Sequence, residues 1–484
     1  MSSRSLMPES KPPEASGGHE LDSFRTGLRI AHPPDPEQLS RERAQLAAVA
    51  TQGLPTRLRT YASLIGPGYL QSAMTLGGGT ATAALFSGAV FGYSLLWAAP
   101  VGMLLGVIML AAVAHQTLST GMRPLEAMRV YAGKPFAIFW ALGALLSSVI
   151  WHFSHYALAS AVVVDMTEAV GFPGLPPIAA GTIILVWAIA LSFLYGSSYR
   201  LVRIYERILK YIVWGVILSF ALVVVRTGIE DPGALLRGFL SFEIPADRNG
   251  VAAVTLIAST FAAAVGINMV FLYPYSLLAR GWTREYRGLA RMDLFAGTFL
   301  PYVLAASLIT IAAANTIHLD AAYDGTRLSP VQAAQTLGSV IGPQSGRLVF
   351  GLGILGMALS SMTLHMLVAG FVCAEVFGWE FGGTRYKLAT LIPTPGILGC
   401  LYWSDIAVWV AIPTNIACGL LLPFVWLGFL KLQRSRAYLG EDRPTGTLAT
   451  VWLVAMAGTT LFLIGSFAWY LTNHGASWIA SVGL

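Results

Sequence analysis

The stretch GPGYLQSAMTLGGGTATAALFSGAVFGYSLLW, residues 66–97, decides the fold of this chain. It is apolar enough to cross a bilayer, but Gly77, Gly78, Gly79 and then Thr80 interrupt it. Each glycine costs a helix about 1 kcal/mol relative to alanine. A bilayer core offers no water to freed backbone groups, so non-helical backbone persists there only where it lines a cavity or a site. The stretch therefore predicts a broken membrane helix at a binding site, with close packing through small residues as the alternative.

The composition is that of a polytopic membrane protein. The chain is 55% hydrophobic and 11% charged, whereas soluble domains carry about 25% charged residues. The net charge of +6 does not indicate a nucleic-acid partner, because the basic residues lie in short loops between apolar runs. Cys373, Cys400 and Cys418 are scattered, so neither a disulfide framework nor a metal-binding CxxC is predicted. We expect the lipid bilayer as a partner and no cofactor.

Eleven apolar runs are long enough to span a bilayer. They lie at residues 61–91, 94–118, 135–170, 178–196, 203–227, 251–279, 291–317, 347–377, 386–404, 406–430 and 448–472. The sixth run is also interrupted, by Gly266, Asn268 and Pro274. The first and sixth runs hold equivalent positions in two five-helix halves, and matching breaks of this kind indicate a transporter binding site.

This pattern divides the chain into five parts. They are a disordered cytoplasmic tail (1–56), a first five-helix repeat (57–230), an extracytoplasmic loop (231–250), a second repeat (251–434), and an eleventh helix with the C-terminus (435–484). A short amphipathic helix over 37–50 is the less favoured alternative within the tail. Basic residues concentrate in the loops on the tail's side, which predicts a cytoplasmic N-terminus and an external C-terminus. We expect the bacterial inner (plasma) membrane as the location.

The order of several motifs resembles the NRAMP (natural resistance-associated macrophage protein) family of proton-coupled divalent metal transporters. GPGYLQSA opens the first span, and SGAVFGYSLLW follows its break. GMALSSMTLHMLVAGFVCAEVFGW resembles the eighth span, and TNIACGLLLPF the tenth. The resemblance runs from about Leu64 to Leu471. It implies an all-α LeuT-type fold, with two inverted five-helix repeats plus an eleventh helix, and transport of a divalent metal by alternating access with a proton as co-substrate.

The positions that match the family's metal ligands carry other residues. The first-span motif Asp-Pro-Gly-Asn reads Gly77, Gly78, Gly79 and Thr80, and the sixth-span Met-Pro-His reads Asn268, Met269 and Val270. The tenth-span Gln corresponds to Asn415, and the third-span acidic pair falls near His155 and Leu158. The resemblance thus implies a substrate site at Gly77, Gly78, Gly79, Thr80, Asn268 and Asn415, without the family's carboxylate and thioether. It leaves the metal ligands unknown.

Two histidines lie three residues apart on one face of the third span, His152 and His155. Imidazole carries protons near neutral pH, and ionisable groups inside a span are functional suspects. We interpret the pair as a proton pathway, against the alternative of two hydrogen-bonded histidines in a helix interface. His365 in the eighth span is expected to be a packed, satisfied histidine.

Three hypotheses follow for function. The leading one is a secondary transporter of a divalent metal, with a small polar or anionic solute as the alternative cargo, held by free N–H groups at the break. A transport-dead sensor of the same fold is the third. A membrane enzyme is disfavoured, because the sequence has no HExxH, no GxSxG and no paired carboxylates near the middle of a span.

Overall fold

The computed structural model describes residues 28–32, 35–195, 197–248, 250–320, 323, 328, 342–402 and 408–482. Across these residues the chain is helical, and the β pairing is confined to two isolated bridges, Ile30 with Phe381 and Arg248 with Val251. The fold class predicted from the apolar runs is confirmed.

The main helices follow the predicted apolar runs. Two short helices come first, α1 (Pro36–Ala50) and α2 (Leu54–Leu64). The first half of the bundle contains α3 (Pro67–Thr75), α4 (Gly78–Phe91), α5 (Ala98–Thr120), α6 (Lys134–Ala169), α7 (Pro177–Leu194) and α8 (Tyr199–Thr227). After α9 (Pro232–Leu240), the second half contains α10 (Ala253–Ala264), α11 (Ile267–Ala279), α12 (Leu300–Asn315), α13 (Pro343–Phe377), α14 (Ala411–Gly419), α15 (Leu422–Arg434) and α16 (Gly446–Val482).

Fewer continuous spans are present in the described residues than the eleven predicted. Nine helices there are long and apolar enough to cross a membrane, and the bent pair α3–α4 makes a tenth. The predicted span at 386–404 is instead a series of short pieces, Thr384–Ala389, Thr394–Leu398 and Gly399–Tyr402, and 403–407 lie outside the described residues. Pro393 and Pro395 explain the interruption, because proline removes a helical hydrogen bond and clashes with the preceding turn.

The first and sixth spans are both broken, as predicted, but each break is shorter than expected. In the first span only Leu76 and Gly77 lie between α3 and α4, which meet at an angle of 53°. In the sixth only Val265 and Gly266 separate α10 from α11. Gly77 (φ −93°, ψ −175°) and Gly266 (φ −93°, ψ 167°) have nearly the same extended backbone. The residues before them differ, Leu76 at φ −76°, ψ 51° and Val265 at φ −147°, ψ 111°, and of the described spans only the first is bent by more than 40° at its break.

Part of the tail predicted to be disordered is helical. Asp35 caps α1 by accepting a hydrogen bond from the Glu37 N–H at 3.0 Å, which satisfies one of the orphan donors of a helix start. The buried Glu42 of α1 forms an ion pair with Arg203 of α8 at 2.9 Å. The prediction for residues 1–27 lies outside the described residues.

Glycines let the helices around the breaks approach closely. A Cβ on Gly88 of α4 would lie 2.2 Å from the Thr310 carbonyl oxygen of α12. A Cβ on Gly396 would lie 2.4 Å from the His152 Cβ of α6, so the interrupted ninth segment packs against the middle of α6. These contacts fix the position of α4 and α6, the two helices that carry most of the candidate site.

Candidate functional site

Side chains from three other helices converge on the glycines of the first break. A Cβ on Gly77 would lie 2.7 Å from both His155 Nε2 of α6 and Ser361 Oγ of α13. A Cβ on Gly79 would lie 2.2 Å from Asn415 Oδ1 of α14 and 2.3 Å from the Trp151 ring. Real Cβ atoms do not approach other atoms so closely. A larger residue at either glycine would therefore displace the side chains that now fill this space.

The His155 imidazole is hydrogen-bonded to the start of α4. Its Nδ1 lies 2.6 Å from the Trp151 carbonyl oxygen, which can only accept, so Nδ1 carries the hydrogen. Nε2 then presents its lone pair, which accepts the Gly78 N–H at 3.2 Å. The Trp151 carbonyl oxygen would accept from a neutral or a protonated ring, but the Gly78 N–H requires a neutral one. Protonation of Nε2 would turn the acceptor into a donor and break the bond to Gly78.

Asn415 links the two broken spans. Its Nδ2 donates to the Gly79 carbonyl oxygen at 3.2 Å and to Ser259 Oγ of α10 at 2.7 Å. Its Oδ1 is buried and has no hydrogen-bond partner. This oxygen is therefore available to a cation or a hydrogen-bond donor bound beside Gly79.

Thr80 serves the backbone of the break. Its Oγ1 donates to the Thr75 carbonyl oxygen at 2.5 Å, a group that lost its helical partner where α3 ends. The Thr80 hydroxyl, predicted to bind substrate, is therefore already hydrogen-bonded to the backbone of the break. Gly78 is the first residue of α4, and a Cβ there would lie 2.9 Å from Leu158 Cδ2.

The second break carries a thioether that the sequence analysis missed. Met269 Sδ accepts the Gly266 N–H at 3.3 Å, one position beyond the residue matched to the family's methionine. Asn268 Oδ1 accepts the Met269 N–H at 3.0 Å, and its buried Nδ2 has no hydrogen-bond partner. With its amide oriented to satisfy both groups, Gln71 of α3 donates to the Met269 carbonyl oxygen at 3.2 Å and accepts the Tyr273 N–H at 3.3 Å. This side chain ties the first span to the second break.

A third histidine joins the predicted pair. The ring centroid of His365 in α13 lies 5.8 Å from that of His152 and 5.3 Å from that of His155, and all three are buried. His152 Nδ1 contacts the Ser148 carbonyl oxygen at 3.0 Å, whereas His152 Nε2 and His365 Nδ1 have no hydrogen-bond partner. The expectation that His365 is fully satisfied is therefore wrong. No local feature of the sequence places it beside the other two histidines.

The described residues contain no group of three or more His, Cys, Asp or Glu side chains placed to hold a metal ion in this conformation. The histidine cluster, defined as His152, His155 and His365, is thus not a preformed three-imidazole metal centre here. What it provides is a set of neutral, buried, proton-accepting groups beside the first break.

Two spans interrupted at equivalent places and joined by buried polar side chains define the class of LeuT-type secondary transporters. The model of the natural resistance-associated macrophage protein-like family matches residues 68–469, and the chain belongs to this family.

Curated relatives and solved structures agree with this assignment. A divalent metal cation transporter MntH of Mycobacterium tuberculosis is 25% identical over 449 residues, covering 88% of this chain and 95% of the relative. The MntH of Mesorhizobium japonicum is 22% identical over 463 residues, covering 90% and 95%. The fold is similar to that of the Eremococcus coleocola manganese transporter, with a TM-score of 0.69, 14% identity and 94% coverage of both chains. A nucleobase-cation-symport-1 family transporter has a TM-score of 0.55 at 14% identity, covering 84% of this chain and 93% of that one.

Proposed function

We propose that this protein is a secondary transporter that moves a divalent metal cation by alternating access through the two breaks. Membership of the family and the names of the curated relatives support the cargo class. The observation that carries the proposal is the buried, unpartnered Asn415 Oδ1 beside Gly79. A neutral oxygen of this kind accepts a cation or a hydrogen-bond donor, and it repels an anion.

The donors around the breaks favour borderline metal ions. His155 offers an imidazole nitrogen, Asn415 an amide oxygen and Met269 a thioether sulfur, whereas residues 66–97 and 251–279 contain no Asp or Glu. Imidazole and sulfur suit ions such as Zn²⁺ and Co²⁺, while Mn²⁺ and Mg²⁺ prefer carboxylates. We therefore propose a preference for Zn²⁺ or Co²⁺ over Mn²⁺.

Proton coupling, in this proposal, passes through His152 and His155. The neutral His155 ring holds the start of α4 through Gly78, and a metal ion also binds only the neutral ring. Protons and metal then compete for His155 Nε2, and protonation changes the break itself. Competition for this one nitrogen couples proton binding to metal binding.

The alternative cargo, a small polar or anionic solute, rests on the N–H groups at the start of α4. The first of these, at Gly78, already donates to His155. An anion would have to displace that imidazole or bind a protonated one. A metal ion that binds His155 Nε2 must likewise replace the Gly78 N–H on that nitrogen, so the metal is favoured by membership of the family and by the names of the curated relatives.

The proposal is tested by uptake into proteoliposomes of radioactive Zn²⁺, Co²⁺ and Mn²⁺, with amino acids and organic anions as competing cargo. We expect saturable Zn²⁺ or Co²⁺ uptake that exceeds Mn²⁺ uptake. Uptake of a solute but of none of the metals would show that the substrate is the alternative cargo, a small polar or anionic solute. Binding without uptake of any compound would identify a sensor.

The pH dependence of binding tests the role of His155. When alternating access opens the site to water, lowering the pH from about 8 to about 5.5 protonates the His155 imidazole, so the affinity for Zn²⁺ should fall, as measured by calorimetric titration without a gradient. In His155→Ala this dependence should become clearly shallower. His318→Ala is the matched control, because His318 contacts the Ala89 carbonyl oxygen and lies outside the histidine cluster. An unchanged pH dependence in His155→Ala would count against the coupling role.

A further inference from the structure

We infer that Asp293 is a positioning residue that holds the half-helix α3 closed at the end opposite the break. The inference rests on the alternating access proposed above. Asp293 is fully buried. Its Oδ1 accepts the Gly66 N–H at 2.9 Å, and its Oδ2 accepts the Gly68 N–H at 2.6 Å. One carboxylate thus satisfies two donors at the start of α3, where a negative charge is also favoured by the helix dipole.

A buried ion pair surrounds the same backbone. Arg280, at the end of α11, pairs with Glu206 of α8, and its Nη2 donates to the Leu64 carbonyl oxygen at 3.3 Å. A Cβ on Gly66 would lie 2.5 Å from Glu206 Oε2. Together Asp293, Glu206 and Arg280 form what we call the α3 lock. These three side chains connect the segment before α3 to α8, to the end of α11 and to the short helix Arg287–Asp293.

The cost of this arrangement argues for a role beyond stability. Removing charges from water is expensive, and buried ion pairs are weak contributors to net stability. These charges instead lie against the segment at the start of α3, whose other end is the two-residue break at Leu76 and Gly77. Movement of α3 about these two residues must break both bonds to Asp293.

The N-terminal helix α1 is joined to the helix that carries Glu206. Glu42 of α1 pairs with Arg203, which stands one helical turn before Glu206 on α8. This ion pair connects α1 to the bundle, in a region whose composition predicts a tail.

Thiol accessibility tests the inference without any need for transport. In full-length protein carrying Cys373→Ser, the buried Ser72 of α3 is replaced by cysteine, and the native Cys400 and Cys418 remain as buried references. Labelling by a membrane-impermeant thiol reagent is followed by mass spectrometry. Asp293→Asn keeps the shape of the side chain, but its NH₂ group cannot accept the hydrogen bond from one of the two N–H donors, Gly66 or Gly68. We expect it to speed labelling at position 72 by at least about tenfold, while Cys400 and Cys418 label at unchanged rates.

The control variant is Asp165→Asn. Asp165 is also a buried carboxylate, paired with Arg347 (Nε to Oδ1, 3.0 Å), but it lies on α6 away from α3. It should leave labelling at position 72 unchanged. Equal labelling rates in Asp293→Asn and its parent would overturn the inference. So would parallel acceleration at Cys400 and Cys418, since that pattern reports general loosening. If metal uptake fails but the selective acceleration is observed, the lock stands and only the proposed cargo is wrong.

Discussion

We expect replacement of His155 with Glu to give this protein tight Mn²⁺ binding, whereas the unmodified protein should bind Mn²⁺ weakly. The imidazole tip stands 2.7 Å from where a Gly77 side chain would begin, so a glutamate at 155 places its carboxylate beside the first break. There it supplies the countercharge that a divalent ion needs inside a membrane, and it accepts the Gly78 N–H in place of the imidazole. We expect affinity to rise at least about tenfold, or about 1.4 kcal/mol, in calorimetric titrations.

The family motif itself suggests a different route, Gly77→Asp with Thr80→Asn, and the structure predicts that it fails. A Cβ at position 77 overlaps His155 Nε2, Ser361 Oγ and Ser361 Cβ. The comparison therefore includes this double variant, together with His318→Glu as a charge-matched control away from the site. Tight Mn²⁺ binding by the unmodified protein, or a larger gain from the double variant than from His155→Glu, would contradict the argument.

Adding a single methyl group at Gly79 should abolish most transport. In Gly79→Ala the new Cβ would overlap Asn415 Oδ1 at 2.2 Å and the Trp151 ring at 2.3 Å. Overpacking of this kind costs about 1–3 kcal/mol, and here the atoms that must move are the candidate ligand and the neighbour of His155. We expect initial uptake of the preferred metal in proteoliposomes to fall by about ten- to a hundredfold.

The matched control for this prediction is Gly458→Ala in α16. A Cβ there would meet no atom within 4 Å, and alanine favours helix over glycine by about 1 kcal/mol. Its uptake should equal that of the unmodified protein. If Gly79→Ala also transports normally at equal protein content, the first break does not form the transport site.

The sequence by itself determined the class of fold and the location of the breaks. Long apolar runs and runs of glycine are local properties, and the bilayer gives them one meaning, because lipid tolerates only internally hydrogen-bonded backbone. For this reason residues 76–77 and 265–266 were found to within a few positions. The same reasoning wrongly predicted a continuous ninth span, because it gave the apolar content of residues 386–404 more weight than Pro393 and Pro395.

Only the tertiary structure decided which side chains share the site. Nothing local in the sequence shows that His155 Nε2 fills the space beside Gly77, that Asn415 bonds to Gly79, or that His365 joins the other two histidines. These pairs come from different helices, and the packing of side chains against glycine surfaces sets their contact. The same holds for Asp293, which the sequence presents as one acid at the start of a span. Its function in holding Gly66 and Gly68 exists only because two segments far apart in the chain meet there, where no water competes for those hydrogen bonds.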